Sequence, residues 1–518
     1  MILRRILCSL ILVVIFVMAG CSPQSQQGEK HTRQDRKTVV LAAYRHLAPG
    51  PKDAMYCSKI LGVWEPLISK DNQGRPVPAL ATAWEMKQGG KEWIFHLRRQ
   101  VVFHDGTPFN ADAVLKNFDR MSLGYRKSSF YGLDIKNYYP GLIKYEKLDD
   151  YTIRLLFKEP NINELYKMTD FGSPIYAPQC FDEEGNFKGI ALGTGPYRIT
   201  ENNIGKAVVL EAFPQYYGPK PKIKKYILRS IPNADVRYAA LKAGEIDGVL
   251  DLNAIPPFLA VELLDNPHFA VASNNSTMTR FLHLNGSKFP FNDVRMRQAV
   301  SLAIDRRALV KALYLDYAYP TANILNCTSP YFVEFPVEYN VKKAQKLAKE
   351  VLGDKRLDII YCINGKEILQ KGEAELIAYW LKDIGLNITI QSLEYATMLK
   401  QLRRGDYHMA RLQQGLPNGD PYSIFHTFMT PQGSRNLSSS SRYFNQEVVD
   451  LMEGVKHVED EKERQAIYKR LQELSVMEQP IVPLFNDMNI VAYNKRLKNY
   501  QPLIYGVDLS KVEFAYNE

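Results

Sequence analysis

The sequence has few features that would support catalysis or metal binding. It has no H-E-x-x-H, G-x-S-x-G or Walker A motif and no protein-kinase signature, so the chemistry of those motifs is not predicted. Histidines such as His46, His408 and His426 do not stand at metal-ligand spacing. The sequence therefore predicts no catalytic residue, no bound metal and no cofactor.

Cysteine and clustered positive charge are also scarce. Cys57, Cys180, Cys327 and Cys362 are far apart and lack C-x-x-C spacing, which argues against a zinc module and leaves any disulfide pairing open. The formal net charge is +10 over 518 residues, but no dense run of lysine and arginine carries interleaved aromatic residues. A nucleic-acid partner is therefore not predicted.

What the chain does contain is a soluble globular composition behind an export signal. Arg4 and Arg5 precede an apolar run, Ile6–Val17, that is shorter than the ~20 residues needed to span a bilayer. Small residues directly before Cys21 resemble the bacterial lipobox, so we expect cleavage there, a lipid such as palmitate on Cys21 and a polar tether up to residue 37. An uncleaved anchor, or an ordinary signal peptide with an incidental cysteine, stays open.

Apolar spacing in the rest of the chain predicts an α/β body. Leu80, Ala83 and Trp84 have helical spacing, and Trp93–Leu97 alternates like a half-buried strand. Asn110 and Asn233 are the expected N-caps of two helices. Further strands are predicted at Thr38–Tyr44, Tyr145–Lys158 (a hairpin), Tyr226–Ile231, Ile246–Leu250 and Gln479–Phe485, and helices at Ala54–Leu61, Ala113–Arg120, Asp235–Lys242, Asn292–Arg307 and Glu459–Met477.

The arginines of two of these helices are expected to be surface charges. Arg237 is predicted to interact with the helix terminus and to lie at the surface of its lobe. The arginines of Asn292–Arg307 are predicted to be solvated or to stand at helix ends.

Several sequence blocks in a fixed order resemble one protein family. They are EPL (65–67), PALATAWE (78–85), GKEWIFHLR (90–98), VVFHDGTPFNADAVLKNF (101–118), GTGPY (193–197) and VRMRQAVSLAIDRR (294–307). In this order they resemble family 5 of the bacterial extracellular solute-binding proteins, which serve peptide and nickel ABC importers. The resemblance covers nearly the whole mature chain.

The resemblance implies an α/β, two-lobed periplasmic binding protein fold of type II (cluster C) with an extra small subdomain in lobe I. The expected order is a signal peptide at 1–20, a lipid-anchored tether at 21–37, lobe I at 38–63, 190–281 and 485–518, the small subdomain at 64–189, and lobe II at 282–484.

The resemblance also implies where a ligand binds. The residues expected to bind it are Arg45, His46, Tyr56, Cys57, Tyr131, Asp420 and Tyr422. Arg45 is the candidate cation, because a guanidinium suits ligand carboxylates. The tyrosines could instead pack in the core, and Asp420 could instead initiate a turn.

The ligand class stays open in the sequence. Peptide-binding members hold the ligand's amino terminus with a carboxylate at the position of Pro417. Nickel-binding members place an aromatic residue near Gly415 and a histidine after Asp-Pro, where this chain has Tyr422. Both signatures are absent in their usual form.

We therefore expect a monomeric, non-enzymatic substrate-binding lipoprotein of an ABC importer. It would be periplasmic or on the cell surface, would bind a small peptide or a nickel or other metal chelate, and would deliver it to a permease driven by an ATPase. The alternatives are a lipid-anchored hydrolase and an envelope protein that binds peptides without transport.

Overall fold

The computed structural model describes residues 37–50, 58–71, 75–124, 126–127, 132–133, 135–160, 162, 164–169, 174–251, 255–415, 421–438, 441–503 and 506–515. The predictions on the signal peptide and on Cys21, Tyr56, Cys57, Tyr131, Pro417 and Asp420 lie outside these residues. The fold below is that of the unit Thr38–Glu518.

The strands in the described part of the chain are β1 (Thr38–Ala43), β2 (Glu65–Pro66), β3 (Ile68–Lys70), β4 (Pro76–Pro78), β5 (Ala81–Lys87), β6 (Glu92–Leu97), β7 (Arg126–Lys127), β8 (Gly132–Leu133), β9 (Leu142–Asp149), β10 (Thr152–Phe157), β11 (Pro174–Ile175), β12 (Tyr197–Asn203), β13 (Ala207–Ala212), β14 (Lys225–Ser230), β15 (Gly248–Val249), β16 (Phe269–Leu284), β17 (Ala318–Pro320), β18 (Leu357–Asn364), β19 (Leu386–Leu393), β20 (Met409–Gly415), β21 (Val482–Asn494), β22 (Leu497–Lys498), β23 (Pro502–Leu503), β24 (Gly506–Val507) and β25 (Glu513–Phe514).

The α-helices in the same residues are α1 (Ser58–Leu61), α2 (Ala111–Ser122), α3 (Ile135–Tyr138), α4 (Glu164–Met168), α5 (Ala234–Lys242), α6 (Pro257–Leu264), α7 (Val294–Ala303), α8 (Arg306–Leu309), α9 (Val341–Leu352), α10 (Ile368–Leu381), α11 (Tyr395–Arg404), α12 (Tyr422–Met429), α13 (Ser434–Ser438), α14 (Gln446–Gly454) and α15 (Glu461–Glu478). The predicted N-caps Asn110 and Asn233 are confirmed, because each side chain accepts a hydrogen bond from the backbone of its helix.

One long sheet organises the chain, in the order β12-β13-β14-β1-β15-β21-β16-β20-β18-β19, with β17 beside β21. β14, β1 and β15 are mutually parallel, and so are β20, β18 and β19. Between these two sets run the long antiparallel strands β16 and β21. The sheet therefore contains two sets of parallel strands joined by the antiparallel pair β16 and β21. At one edge β12 and β13 continue the sheet in antiparallel pairing.

The hydrophobic side chains separate along the same line. One core draws its buried members from residues 39–269 and 490–512. Two further cores, on the two faces of the other half of the sheet, draw theirs from 281–485. We call the part around the first core lobe I and the part around the other two lobe II. The two-lobed α/β fold that the resemblance implied is confirmed.

A four-stranded antiparallel sheet, β5-β6-β10-β9, forms a smaller layer with α2. The helix predicted from Leu80, Ala83 and Trp84 is wrong, because this segment is β5, whose Trp84 pairs with Phe95 of β6. Gly89 and Gly90 do end the segment, but with positive φ angles of 64° and 90° they close a hairpin. Pairing with β6 satisfies backbone groups that a short isolated helix would leave exposed.

The G-T-G-P-Y run lies against the segment Gly62–Glu65. The Gly195 N–H donates to the Val63 carbonyl at 2.9 Å, and a Cβ on Gly195 would stand 2.4 Å from the Gly62 carbonyl oxygen. Position 195 therefore requires glycine, because two backbone segments approach each other closely there.

The Glu65 carboxylate lies beside this contact. It accepts hydrogen bonds from Thr194, Tyr216 and Tyr217 at 2.9, 3.2 and 2.9 Å.

Arg237, expected at the helix terminus and the protein surface, and Arg306, expected to be solvated or at a helix end, are both buried. Arg306 does begin a helix, α8. Arg237 donates to the carbonyls of Ile231 and Pro232 at 2.6 and 2.9 Å. Arg306 donates to Ser301 and Pro483, and burial lowers its pKa to about 10. Backbone carbonyls at strand and helix ends supply acceptors that helical spacing alone does not reveal.

Candidate functional site

Strand direction places a cleft between the two lobes. β16 runs from lobe I into lobe II and, like β15, is antiparallel to β21. The parallel strands of lobe I therefore run toward lobe II. β20 is antiparallel to β16, so the parallel strands of lobe II run toward lobe I. Both sets of carboxyl ends meet at the two strands that pass between the lobes, β16 and β21, which we call the crossing pair. In open α/β sheets, ligands bind outside the carboxyl ends of the strands.

The lobe I rim carries a cluster of charged residues. Arg45, directly after β1, has its Nε 3.1 Å from an Asp251 carboxylate oxygen just after β15. Arg237 reaches the end of β14 through its bonds to Ile231 and Pro232. Burial and, next, the Asp251 carboxylate raise the pKa of Tyr44, and burial lowers that of Arg237. The ends of three parallel strands thus meet in one ionic cluster.

His46 fixes the same loop to lobe I. One ring nitrogen lies 2.7 Å from Asn202 Oδ1 and the other 3.4 Å from Ser230 Oγ. Asn202 in turn donates to the Pro49 carbonyl at 3.1 Å. The side chain of His46 therefore positions the loop that carries Arg45.

The lobe II rim carries a second cluster. Arg280 of β16 makes contacts of 2.8 and 2.6 Å with Asp487 of β21 and reaches Glu367 Oε2 at 3.3 Å. Burial disfavours the charge on Arg280, but the Asp487 carboxylate outweighs it and the pKa of Arg280 is raised. Glu367 lies just beyond the end of β18 and is the N-cap residue of α10. Its side chain is 34% exposed.

A second ion pair lies deeper in lobe II. Glu373 accepts from Arg411 in bidentate geometry at 2.7 and 3.0 Å, and both side chains are fully buried. Tyr314 also donates to Glu373. Burial disfavours the charge on Arg411, yet Glu373 holds its pKa above the ordinary value. This pair supports the strands beneath the rim.

Polar side chains line the crossing itself. Asn489 donates to Asn274 Oδ1 at 3.2 Å, and Asn486 donates to Thr279 Oγ1 at 2.9 Å. The register between β16 and β21 shifts between Asn275 and Thr279. The floor of the cleft is therefore an irregular, hydrogen-bonded stretch of two strands.

Tyr422 begins α12, shortly after the end of β20. Its ring stacks on His426 at 5.8 Å and 23°, and burial lowers the pKa of His426. A cavity of about 300 Å³ opens here. It is lined by Tyr422, His426, Thr430, Gln432, Val449, Met452, Glu453 and Lys456.

Of the predicted site residues, Arg45, His46 and Tyr422 lie in described segments. The first two are neighbours on lobe I, and the third belongs to lobe II. Five charged residues described on the rims were missed: Arg237, Asp251, Arg280, Glu367 and Asp487. Asp251 follows a predicted strand and could have been found as a polar residue at a strand end, whereas the contacts of Arg280 depend on cross-strand register.

The described segments contain neither a metal-ligand cluster nor a helix that could span a membrane. No group of three or more histidine, cysteine, aspartate or glutamate side chains suited to a metal ion occurs among the described residues. Cys180, Cys327 and Cys362 form no disulfide. Within these segments no helix is both long and apolar enough to cross a bilayer.

Comparison with known proteins agrees with this architecture. Residues 75–436 match the family described as bacterial extracellular solute-binding proteins, family 5. The chain belongs to this family. It is 26% identical over 463 residues to the dipeptide-binding protein of Escherichia coli K12, covering 82% of this chain and 83% of that one. With the nickel-binding periplasmic protein of the same strain it shares 26% over 435 residues, 79% and 80% of the two chains.

Solved structures show the same fold. NikA from Brucella suis, in complex with Fe(III)-EDTA, superposes with a TM-score of 0.79 at 22% identity. The match covers 92% of this chain and 99% of that one. Members of this family are binding proteins of the periplasm or cell exterior, and the chain is similar to them over both lobes.

Proposed function

We propose that this chain is the substrate-binding lipoprotein of an ABC importer and captures a small ligand between its lobes. The observation that carries the proposal is the opposed arrangement of strand ends across the crossing pair β16 and β21. Each rim of this cleft holds charged side chains, with Arg45 and Asp251 on one side and Arg280 and Glu367 on the other. Such a cleft suits recognition of a small polar solute.

The proposed ligand is a small peptide or a nickel or other metal chelate. Relatives named for dipeptide and for nickel binding support both classes. Arg45 would meet a ligand carboxylate, His46 would hold its loop and Tyr422 would supply an aromatic wall. Tyr56, Cys57, Tyr131 and Asp420, which lie outside the described residues, complete the proposed binding set.

Capture would close the lobes about the crossing strands. Among the described residues, two long strands, β16 and β21, connect the lobe cores, and their pairing register shifts between Asn275 and Thr279 of β16. A hinge in such a stretch would let the lobes close around the ligand. The closed, ligand-bound conformation would then be the one that docks on the permease. The sequence alone favours a hinge near Phe281–Asn285 and Gln479–Phe485. We propose that the hinge lies at the register shift, a few residues before the first of these segments.

A lipid on Cys21 would keep the binding protein beside its permease. The polar tether 21–37 would let the folded body reach the membrane partner. We expect Cys21→Ser to release the protein from the membrane fraction into soluble material. Unchanged membrane association with an unprocessed mass would refute the anchor, and a Cys180→Ser variant controls for loss of a cysteine elsewhere.

The import function is tested by what the host removes from its medium. Wild-type, deletion and complemented strains are grown in one rich medium, and small molecules in the spent medium are compared by mass spectrometry. We expect a peptide or chelate class that the wild type depletes, that remains in the deletion strain and that complementation again removes. Identical depletion in all three strains would contradict import and favour a hydrolase or a binding protein without transport.

A further inference from the structure

The end of lobe I that faces away from the cleft carries exposed lysines. β14 and β1 run side by side toward the cleft, with Lys225 level with Thr38, so the residues just before β14 lie at the far end of the sheet. β21 runs the opposite way beside β15, and the residues just after it reach the same end. Four exposed lysines stand in these two segments, and we call them the basal lysines: Lys222, Lys224, Lys495 and Lys498.

The basal lysines form one patch. β14 and β21 are separated by β1 and β15, so the two segments lie about three strand spacings apart, or ~14 Å. They also share a carboxylate. Lys498 pairs across strands β22 and β25 with Glu513, and Lys222 donates a hydrogen bond to the same side chain. That bond and the charges of both lysines hold the pKa of Glu513 below its ordinary value.

In the described part of the chain, three of the four basal lysines, Lys224, Lys495 and Lys498, form no ion pair with a carboxylate. Three of the carboxylates at these strand ends are each paired with a basic residue of the same end: Glu211 with Lys225 and Arg198, Asp247 with Arg496, and Glu513 with Lys222. The ammonium groups of the three lysines are therefore available to an anionic partner.

The chain enters lobe I beside this patch. β1 begins at Thr38, whose carbonyl accepts a hydrogen bond at 3.3 Å from Arg496, the residue after Lys495. The sequence before it is basic too, and between Cys21 and Thr38 it holds Lys30, Arg33, Arg36 and Lys37 against Glu29 and Asp35. A flexible coil of this length has a root-mean-square span of ~20–25 Å. A lipid on Cys21 would therefore keep the basal lysines within reach of the membrane surface.

We propose that the basal lysines bind anionic phospholipid headgroups and hold the lipid-anchored protein on the membrane with its cleft turned toward the medium. The charge of the patch favours an anionic surface, and the tether favours the membrane over an acidic protein. The second step rests on the lipid anchor of the proposed function, whereas the first does not. In this orientation the carboxyl ends of the lobe I strands are open to solutes, and the body turns on its tether to dock on the permease.

The attraction orients an anchored protein but does not replace the anchor. Each basic residue near an anionic surface raises partitioning roughly fivefold. Salt weakens this effect, because the Debye length falls from ~10 Å at 0.1 M to ~3 Å at 1 M. The unanchored Cys21→Ser protein should therefore still be recovered as soluble material once membranes are washed in salt.

The test measures how the mature Cys21→Ser chain, which has no lipid at that position, binds to phospholipid vesicles. Sedimentation separates bound from free protein on vesicles of phosphatidylcholine alone and on vesicles that also contain phosphatidylglycerol. We expect at least tenfold more binding to the anionic vesicles at ~0.1 M salt, and loss of this difference at ~1 M salt. Beads that carry polyglutamate test for an acidic protein as the partner.

Three variants in this background assign the binding surface. Lys222→Gln/Lys224→Gln/Lys495→Gln/Lys498→Gln should reduce binding to anionic vesicles at least tenfold, whereas arginine at the same four positions should retain it. The matched control removes the same charge from α9 of lobe II, where Lys343 pairs with Glu338 and Lys349 with Asp354. This control, Lys342→Gln/Lys343→Gln/Lys346→Gln/Lys349→Gln, should bind as the parent chain does.

Several results would overturn the inference. These are no binding or equal binding to neutral and anionic vesicles, equal loss in the lobe II variant, and loss of binding in the arginine variant. Binding to polyglutamate without binding to vesicles would also overturn it and would favour an acidic protein. The anchor and the import function fail on different measurements, which are membrane fractionation of Cys21→Ser and medium depletion by the deletion strain.

Discussion

The buried ion pair of lobe II gives the sharpest stability prediction. Glu373→Gln keeps the shape of the side chain but removes the charge that faces Arg411 at 2.7 and 3.0 Å. Because both side chains are fully buried, the guanidinium is left without its counter-charge. Breaking one side of such a pair costs about 3–5 kcal/mol.

This loss converts into a measurable change in melting temperature. Residues 281–485 supply the cores of lobe II, and roughly 200 residues at ~2.1 cal/mol/K each give an unfolding entropy of ~0.4 kcal/mol/K. If lobe II unfolds as a unit, the midpoint should fall by ~7–12 °C. Differential scanning calorimetry of the mature chain measures this shift directly.

The control is Glu375→Gln, two residues further along α10, where an exposed carboxylate lies 3.9 Å from Lys371. An exposed pair of this kind contributes at most about 1 kcal/mol. The double variant Glu373→Met/Arg411→Met removes both charges and should recover at least half of the loss. A Glu373→Gln shift no larger than that of Glu375→Gln, or a double variant worse than the single, would refute the reasoning.

Two further predictions concern the contact between the G-T-G-P-Y run and the segment Gly62–Glu65. Gly195→Ala should lower the free energy of unfolding by ~1–3 kcal/mol, because the new Cβ would stand 2.4 Å from the Gly62 oxygen. The control is Gly189→Ala, whose Cβ would meet nothing within 4 Å. Equal melting temperatures of the two variants would contradict the close approach. Burial raises the pKa of Glu65 above its ordinary value of 4.5, so the folded state binds this proton more tightly than the unfolded state. The free energy of unfolding that protonated Glu65 contributes is therefore lost as the pH rises above 4.5 through the raised pKa. Calorimetric scans at two pH values measure the melting temperature of Glu65→Gln minus that of wild type. This difference should be more positive at pH 7.5 than at pH 5. A difference that does not change with pH would count against the raised pKa.

Much of the fold was predictable because its signals are local. Asn110 and Asn233 cap their helices as the sequence indicated, since an asparagine before an apolar helical pattern acts within one turn. The segment around Trp84 was not predictable in this way. Its three apolar positions fit a helix, and only pairing with β6 turns it into a strand.

Of the charged residues described on the two rims, Arg45 alone was predicted from the sequence. Arg45 was predicted because the family resemblance implies that its loop lines the cleft and because a guanidinium suits carboxylates. In the structure it lies at a strand end beside Asp251. The contacts of Arg280 with Asp487 and Glu367 join residues 207 and 87 positions apart. Such contacts follow from the register of β16 and β21, which no local pattern encodes. The predicted domain boundaries stay predictions.

Native mass spectrometry of the protein purified from its own host shows whether a small molecule is held between the lobes. We expect the mature chain plus one noncovalently bound small molecule, which is released when the protein is unfolded and is lost from a variant carrying both Arg45→Gln and Glu367→Gln. A spectrum that shows only the mass of the mature chain, or a bound molecule that the double variant retains unchanged, would contradict it.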